Sequence, residues 1–307
     1  MSFDEYYAPI APPEKLPFWD TVSLSYSTYF ANFIDALRAS WIWLVVVAAL
    51  TGVGTWQQMS WMSTMISDVT RGAPQQMLTQ KSIPFAVLAL LYLGHILTLL
   101  AGVSIAVAWH RLMILGEHPG FSGSNLATGN LWRYIGVGLL ICLVIFLPVV
   151  AIVAPLLFLW PATTGASRGT SPLVLVAFFA IYLIGVAVTL RLSVLLPARA
   201  VGDLSLTFKG AWNRTRGNIW RLFWGMLATT LPPLLLIQIA FLTVNGFPNP
   251  ATIASPDFAA QMTAGNVAFT IYYLLMLPIG IGFLSHAYRH FFREELQFAG
   301  FPPDGRA

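Results

Sequence analysis

Charged residues are scarce in this chain: Asp, Glu, Lys and Arg make up 9% of its 307 residues. Soluble proteins carry about 25% charged residues. With a hydrophobic fraction of 57%, too little polar surface remains to cover a globular fold. The composition therefore excludes a soluble globular protein and predicts a chain that crosses a membrane several times.

Cysteine is almost absent. The single cysteine, Cys142, lies within an apolar run, so neither a disulfide framework nor a cysteine-based metal site is expected. The start of the sequence, M-S-F-D-E-Y-Y, is acidic and does not have the pattern of a signal peptide. The net charge of +4 does not indicate nucleic-acid binding, because the Lys and Arg residues stand beside apolar runs, where membrane orientation and lipid head groups explain them.

Six apolar stretches are long enough to cross a hydrocarbon layer of roughly 30 Å. They are continuously apolar and do not alternate with a period of two residues, which favours helices over a β-barrel. The sequence thus predicts an all-α membrane protein with six transmembrane helices. The first stretch is the shortest, with a polar continuation to Ser67 that we expect at the membrane interface. The predicted spans are Trp41–Trp56, Pro84–Ala108, Ile135–Leu159, Pro172–Leu190, Ile219–Val244 and Val267–Ser285.

The distribution of positive charge predicts the orientation. Three of the 16 Lys and Arg residues, namely Arg71, Lys81 and Arg168, lie in the loops after odd-numbered spans. The other thirteen lie in the termini and the remaining loops, so the positive-inside rule places both termini in the cytoplasm of a bacterial inner membrane. The segments between spans, at most about 40 residues, are too short for a soluble catalytic domain.

Internal repeats suggest three helical hairpins. G-N-L-W-R at Gly129–Arg133 recurs as G-N-I-W-R at Gly217–Arg221, and S-L-S-Y at Ser23–Tyr26 recurs as S-L-T-F at Ser205–Phe208. The predicted organisation is a disordered tail at 1–20, a single membrane domain at 21–295 and a cytoplasmic tail at 296–307. Its three hairpins cover about 21–110, 111–200 and 201–295.

Two series of residues, one beginning at the end of S-L-S-Y and the other at the end of S-L-T-F, share the same helical spacing. This spacing of i, i+3, i+4, i+7 and i+11 predicts amphipathic helices at the membrane interface before the odd-numbered spans. The two series are Tyr26, Tyr29, Phe30, Phe33 and Leu37, and Phe208, Ala211, Trp212, Thr215 and Ile219.

These features, together with W-H-R-L-M-I-L-G-E at 109–117, resemble a broad group of bacterial inner-membrane proteins. That group includes the membrane domain sometimes fused to glycerophosphodiester phosphodiesterases and its uncharacterised stand-alone relatives. The resemblance covers most of residues 21–295 and implies a fold. It implies no catalytic residue, because the phosphodiesterase barrel is absent here.

Basic and tryptophan residues at the predicted cytoplasmic ends of the spans form what we call the basic collar. Such residues orient a membrane protein, and near an anionic leaflet each cation contributes about 1 kcal/mol to lipid attraction. The leading hypothesis is a non-enzymatic scaffold or partner subunit that engages anionic lipid, and a protein partner in the same membrane, through this collar. Its residues are Arg111, Trp132, Arg133, Arg191, Lys209, Arg214, Arg216, Trp220, Arg221 and Arg289.

A small-solute or lipid transporter is the alternative. Prolines interrupt the third, fifth and sixth spans, and broken helices can line a transport site. This hypothesis predicts a polar cavity near Thr229, Thr230 and Gln238. His95, deep in the second span, is interpreted as structural, with its neutral imidazole hydrogen-bonded to Thr98 or to a neighbouring carbonyl. The prolines are Pro148, Pro155, Pro232, Pro233 and Pro278.

A membrane metal enzyme is the third hypothesis. His286, His290 and Glu294 fall at i, i+4 and i+8 on one helical face, and His110 lies at a comparable depth. Imidazole and carboxylate groups are ligands for zinc or iron. A belt of His and Arg residues at the lipid phosphates explains the pattern more simply, so we expect no metal and no other cofactor.

Overall fold

A computed structural model describes residues 14–72, 83–120, 128–164, 172–246 and 257–293. Within these ranges the chain forms nine α-helices and no strand. Six of the helices are long and apolar enough to cross a membrane, which confirms the predicted all-α fold class. The helices are α1 (Phe18–Ala31), α2 (Phe33–Thr70), α3 (Phe85–Leu115), α4 (Gly129–Thr164), α5 (Pro172–Leu192), α6 (Leu195–Val201), α7 (Phe208–Arg214), α8 (Ile219–Asn245) and α9 (Phe258–Phe291).

The long helices extend beyond the predicted spans. Helix α2 begins at Phe33 instead of Trp41 and continues through the polar stretch to Thr70. Helix α9 begins at Phe258, ahead of the predicted start at Val267. At 1.5 Å of rise per residue, the 38 residues of α2 make about 57 Å of helix, so α2 projects beyond the hydrocarbon layer.

Helices α2, α3 and α9 pack against one another as one group, and α8 and α1 pack on α9. Helices α4 and α5 pack together, and α6 joins α4 to α3. The largest buried cluster lies at the end of the bundle where α3, α5 and α9 finish, which we call the collar end. It includes Leu16, Ile114, Leu195, Leu222, Phe283 and Tyr288. Elsewhere the helices expose large apolar side chains, as a lipid-facing surface requires.

Glycines bring helices α8 and α9 into close contact. A Cβ atom added at Gly225 on α8 would lie 2.0 Å from Cζ of Phe283 on α9. A Cβ atom at Gly280 on α9 would lie 2.8 Å from Cγ2 of Thr230 on α8. Small residues at such crossings allow backbones to approach, which is how packing stabilises helices within lipid.

The predicted amphipathic segments are divided by a corner before each span. Asn32 separates α1 from α2, and a turn at residues 215–218 separates α7 from α8. The two series of apolar residues that were predicted as single helical faces are therefore split between two helices. On α1, Ser25 and Tyr29 are buried, whereas Trp19 and Phe30 are exposed. Location of α1 at a lipid interface stays a prediction.

The N-terminal boundary also moves. Sequence analysis places a tail at residues 1–20, whereas α1 begins at Phe18 and Leu16 is fully buried. The chain from Glu14 onward thus belongs to the folded bundle.

We expect Gly225→Ala to lower the melting temperature of the purified protein, because the new methyl group would displace Phe283 and overpacking costs about 1–3 kcal/mol. Gly136→Ala on α4 is the control, since an added Cβ there meets no atom within 4 Å. The control should melt at or slightly above the wild-type temperature, because alanine favours helix. Equal melting of both variants would contradict the close α8–α9 contact.

Candidate functional site

A crevice of about 730 Å³ lies between helices α2, α3 and α9. We call it the membrane crevice. Polar side chains from all three helices enter its lining, and no Asp, Glu, Lys or Arg is among the residues found to line it. The polar lining includes Thr55, Gln58, His95, Thr98, Asn266 and Thr270.

The membrane crevice extends along about half of α3. Its lining on α3 runs from Leu90 to Ala106, which are sixteen residues apart and therefore about 24 Å along the helix. The end of the crevice that is nearer the basic collar is lined by Tyr134 of α4 and Ile281 of α9. The rest of the wall is largely apolar, so the crevice offers both hydrocarbon-like surface and scattered polar groups.

Three polar groups of the crevice donate a hydrogen to a carbonyl of their own helix. The hydroxyl of Thr98 donates to Gly94 O at 2.8 Å. The hydroxyl of Thr270 donates to Asn266 O at 2.8 Å. His95 Nδ1 lies 2.6 Å from the carbonyl oxygen of Leu91, which can only accept, so Nδ1 carries the hydrogen.

The environment of His95 was predicted in part. The sequence suggested Thr98 or a neighbouring carbonyl as the hydrogen-bond partner of His95. In the structure the partner is the carbonyl of Leu91, and Thr98 donates to a different carbonyl. His95 is also exposed in the crevice wall, which its interpretation as a purely structural residue did not anticipate. The sequence contains a pattern that indicates a polar face on α2, because Thr51, Thr55 and Gln58 fall at i, i+4 and i+7.

The membrane crevice does not lie where the transporter hypothesis predicts a polar cavity. Thr229 and Thr230 of α8 donate to Gly225 O and Met226 O at 2.8 Å and 2.6 Å. Thr229 is buried and Gln238 is exposed. None of Thr229, Thr230 and Gln238 is among the residues that line the membrane crevice.

Three arginines of the basic collar bond to carbonyl groups at the ends of helices. Each acceptor belongs to the last turn of a helix, where carbonyls have no partner within the helix. Arg111 donates to Ala200 O at 3.2 Å, Arg289 donates to Met113 O at 3.2 Å, and Arg191 donates to Trp212 O. These guanidinium groups thus hold the bundle together, whereas the sequence predicted that they extend to lipid head groups.

Other collar residues face outward. Trp132 and Trp220 have exposed fractions of 58% and 70%. Arg133, Lys209 and Arg216 are also exposed, and Arg133 lies 3.4 Å from Asn130 Oδ1. Arg214 lies 5.9 Å from the centre of the Phe292 ring. The exposed cations are the part of the collar that is placed to meet an external anion.

The second copy of the repeated motif, G-N-I-W-R at Gly217–Arg221, binds the beginning of the described chain. Asn218 is fully buried, accepts from Leu16 N at 2.9 Å and donates to Glu14 O at 3.1 Å. Arg221 donates to Leu16 O at 2.5 Å, and Lys15 Nζ donates to Gly217 O at 3.0 Å. This copy therefore clasps a segment about 200 residues away, a role that its sequence did not reveal.

Two residues near the beginnings of α4 and α2 also meet chain segments that are distant in sequence. In the first motif copy, Asn130 lies against Gly202, where a Cβ atom would be 3.5 Å from Asn130 Nδ2. Ahead of the first span, Asp35 bonds to His118 at 2.9 Å and to Arg38 at 3.1 Å. Asn130 and Asp35 thus each lie against a connection between helices.

The candidate metal ligands are not brought together as a site. His110 is fully buried, with Nδ1 at 2.7 Å from Ser285 Oγ, and His286 Nε2 lies 3.4 Å from Thr28 Oγ1. Glu294 lies outside the described residues, and His290 stays on α9. Across the described ranges, no group of three or more His, Cys, Asp and Glu residues is placed to hold a metal ion.

Comparison with known proteins gave no match, whether with protein-family models, curated proteins or solved structures. The resemblance to the bacterial inner-membrane group therefore stays a prediction. Any functional proposal rests on the geometry of the membrane crevice and of the basic collar.

Asp203, in the connection between α6 and α7, fastens that connection to α9. Burial alone would raise its pKa, but hydrogen bonds outweigh this effect and lower the pKa below the ordinary value of 3.8. The hydroxyl and backbone N–H of Ser205 donate to Oδ1 at 2.6 and 2.8 Å, and the hydroxyl of Tyr288 donates to Oδ2 at 2.9 Å. The ionised carboxylate is therefore the form that stabilises the fold.

We expect this contribution to be complete above pH 3.8 and to be lost as the pH falls through the lowered pKa of Asp203. Asp203→Asn should therefore lower the melting temperature at neutral pH and reduce its further decline in acid. Melting curves between about pH 7 and about pH 3 measure both effects. Asp20→Asn, at an exposed position on α1, is the control and should follow the wild type. A decline identical in all three proteins would contradict this role.

Proposed function

We propose that this multi-pass membrane protein is a non-enzymatic carrier or transporter that binds an uncharged, lipid-like molecule in the membrane crevice. The observation that supports the proposal is a polar-lined crevice of about 730 Å³ formed by three transmembrane helices. Sites for small molecules commonly enclose about 300–1,000 Å³ and combine apolar walls with a few polar groups.

The polar groups of the crevice support a binding role. Polar side chains within a membrane are costly and tend to mark substrate paths. Gln58, His95 and Asn266 come from three different helices and line the same space. A charged ligand would find no opposite charge among the lining residues, so an uncharged ligand fits better.

The crevice is accessible from the bilayer side of the helices. His95 is exposed, and Leu99, one turn further along α3, has an exposed fraction of 64%. Both lie well inside the span Phe85–Leu115, at depths where lipid surrounds the protein. A ligand with an acyl chain can therefore enter laterally and rest on apolar wall residues such as Val103 and Leu277.

Gly94→Phe tests the proposal by filling the crevice. An added Cβ atom at Gly94 meets no atom within 4 Å and Gly94 lines the crevice, so a phenylalanine side chain there is placed to fill part of the crevice. We expect the wild-type protein, transferred from its own membrane into nanodiscs, to retain a lipid-like molecule in native mass spectra, and the variant to lose it.

Gly136→Phe on α4 is the matched control, since its added Cβ atom also meets no atom within 4 Å and Gly136 does not line the crevice. Unchanged melting temperatures would establish that both variants fold. Equal ligand retention by Gly94→Phe and Gly136→Phe would refute the proposal.

Anionic lipid binding by the basic collar is a second candidate, which the exposure of Arg133, Lys209 and Arg216 favours. We place the collar at the cytoplasmic face of a bacterial inner membrane, with both termini cytoplasmic, because the positive-inside rule supports that orientation. Exposed Trp132 and Trp220 suit the head-group region. A partner subunit in the same membrane would also fit this surface.

Replacing Arg133, Lys209 and Arg216 together by Gln should weaken the binding of phosphatidylglycerol, followed as its retention in native mass spectra, by about 150-fold, since three surface charges at about 1 kcal/mol each contribute about 3 kcal/mol. Arg221 and Arg289 are left intact because they bond to backbone carbonyls. Arg71→Gln is the control, because Arg71 follows the C-terminal end of α2 and does not belong to the basic collar. Unchanged retention would count against anionic lipid binding by the collar.

The cytoplasmic location of the collar is tested with Lys209→Cys in a Cys142→Ser background. Labelling of this cysteine by an impermeant maleimide in intact cells would count against that location.

A further inference from the structure

Three side chains of the membrane crevice use their hydrogen-bond donor within the protein. A threonine hydroxyl has one hydrogen and two lone pairs. Thr98 and Thr270 each give that hydrogen to a carbonyl of their own helix, so their free lone pairs remain available. His95 donates through Nδ1 to Leu91 O, and in a neutral imidazole Nε2 is then an acceptor.

A ligand group that bonds to these three side chains therefore has to supply the hydrogen. We propose that the membrane crevice selects a neutral lipid whose head group carries free hydroxyl groups, of which a diacylglycerol is the simplest. This inference rests on the proposed function and names the chemistry that the same site recognises. The hydroxyl donates to His95 Nε2 or Thr98 Oγ1, and the amides of Gln58 and Asn266 can donate to ester carbonyls.

Charged head groups fit this wall poorly. A phosphate needs Arg or Lys and an ammonium group needs Asp or Glu, and none of these residues is among those found to line the crevice. An unpaired charge at such a depth is costly. A free polyol would satisfy the acceptors but would leave the apolar wall around Leu99 and Leu277 uncovered, so a lipid is favoured over a soluble sugar alcohol.

The experiment compares two ligands that differ at one hydroxyl. The full-length protein in nanodiscs is titrated with a diacylglycerol and with the same molecule acetylated at its hydroxyl, and occupancy is measured by native mass spectrometry. A net hydrogen bond corresponds to about fivefold in affinity, so we expect the free hydroxyl form to bind about fivefold more tightly.

Variants test whether the crevice acceptors cause this preference. Thr98→Val keeps the shape of the side chain and removes the acceptor, so the preference should fall towards equality. Thr243→Val is the matched control, because Thr243 on α8 also donates to a carbonyl of its own helix, Ile239 O at 2.7 Å, but does not line the crevice. The control should keep the wild-type preference.

Two outcomes overturn this inference and are distinguishable from failure of the proposed function. Equal binding of both ligands by the wild type, with both lost in Gly94→Phe, would leave the crevice as a binding site but remove the selection for hydroxyl groups. Displacement of the lipid by an equal concentration of glycerol would show that a soluble polyol is recognised instead. Preference in the wild type and in Thr243→Val, with loss in Thr98→Val, would support the inference.

Discussion

Arginine-to-carbonyl hydrogen bonds hold the collar end of this protein together. The last carbonyls of a helix have no partner within the helix, and an unsatisfied backbone group near lipid is costly. Arg111, Arg191 and Arg289 each meet a carbonyl in the last turn of another helix. Since the C-terminal end of a helix is the negative end of its dipole, a cation is favourable there as well. The packing of α6, α7 and the ends of the long helices depends on these contacts.

The same constraint acts on hydroxyl groups inside the spans. Ser40 and Thr230 donate to carbonyls of their own helices, as Thr98 and Thr270 do in the membrane crevice. Without water, a hydroxyl is stabilised by donating to a carbonyl within reach. The acceptor character of Thr98 and Thr270 in the crevice is therefore a result of helix geometry in lipid, and it requires no charged residue.

Composition and hydropathy were sufficient to predict the six spans, because any helix that crosses lipid has to be apolar for about 20 residues. They did not predict how far helices continue beyond the apolar part. Helix α2 continues to Thr70 and α9 begins at Phe258, since polar side chains outside the hydrocarbon layer do not interrupt a helix. A hydropathy boundary marks the edge of the lipid and does not mark a helix end.

The candidate site was harder to predict, because it depends on which helices become neighbours. Thr55, His95 and Asn266 are far apart in sequence, and only the packing of α2, α3 and α9 brings them to one space. The positions of the collar residues along the chain were predicted. Their partners were not, because an Arg near a helix end can reach either a lipid phosphate or a carbonyl.

The clasp between Asn218 and Leu16 has a consequence for biosynthesis. A chain leaves the ribosome with its N-terminal part first. Leu16 and the helix that follows it are therefore made long before Asn218 and Arg221, the residues that hold them. Until α8 and α9 have entered the membrane, Leu16 and α1 lack the residues against which they pack. Their docking on α8 and α9 is therefore a late step that completes the assembly of the bundle.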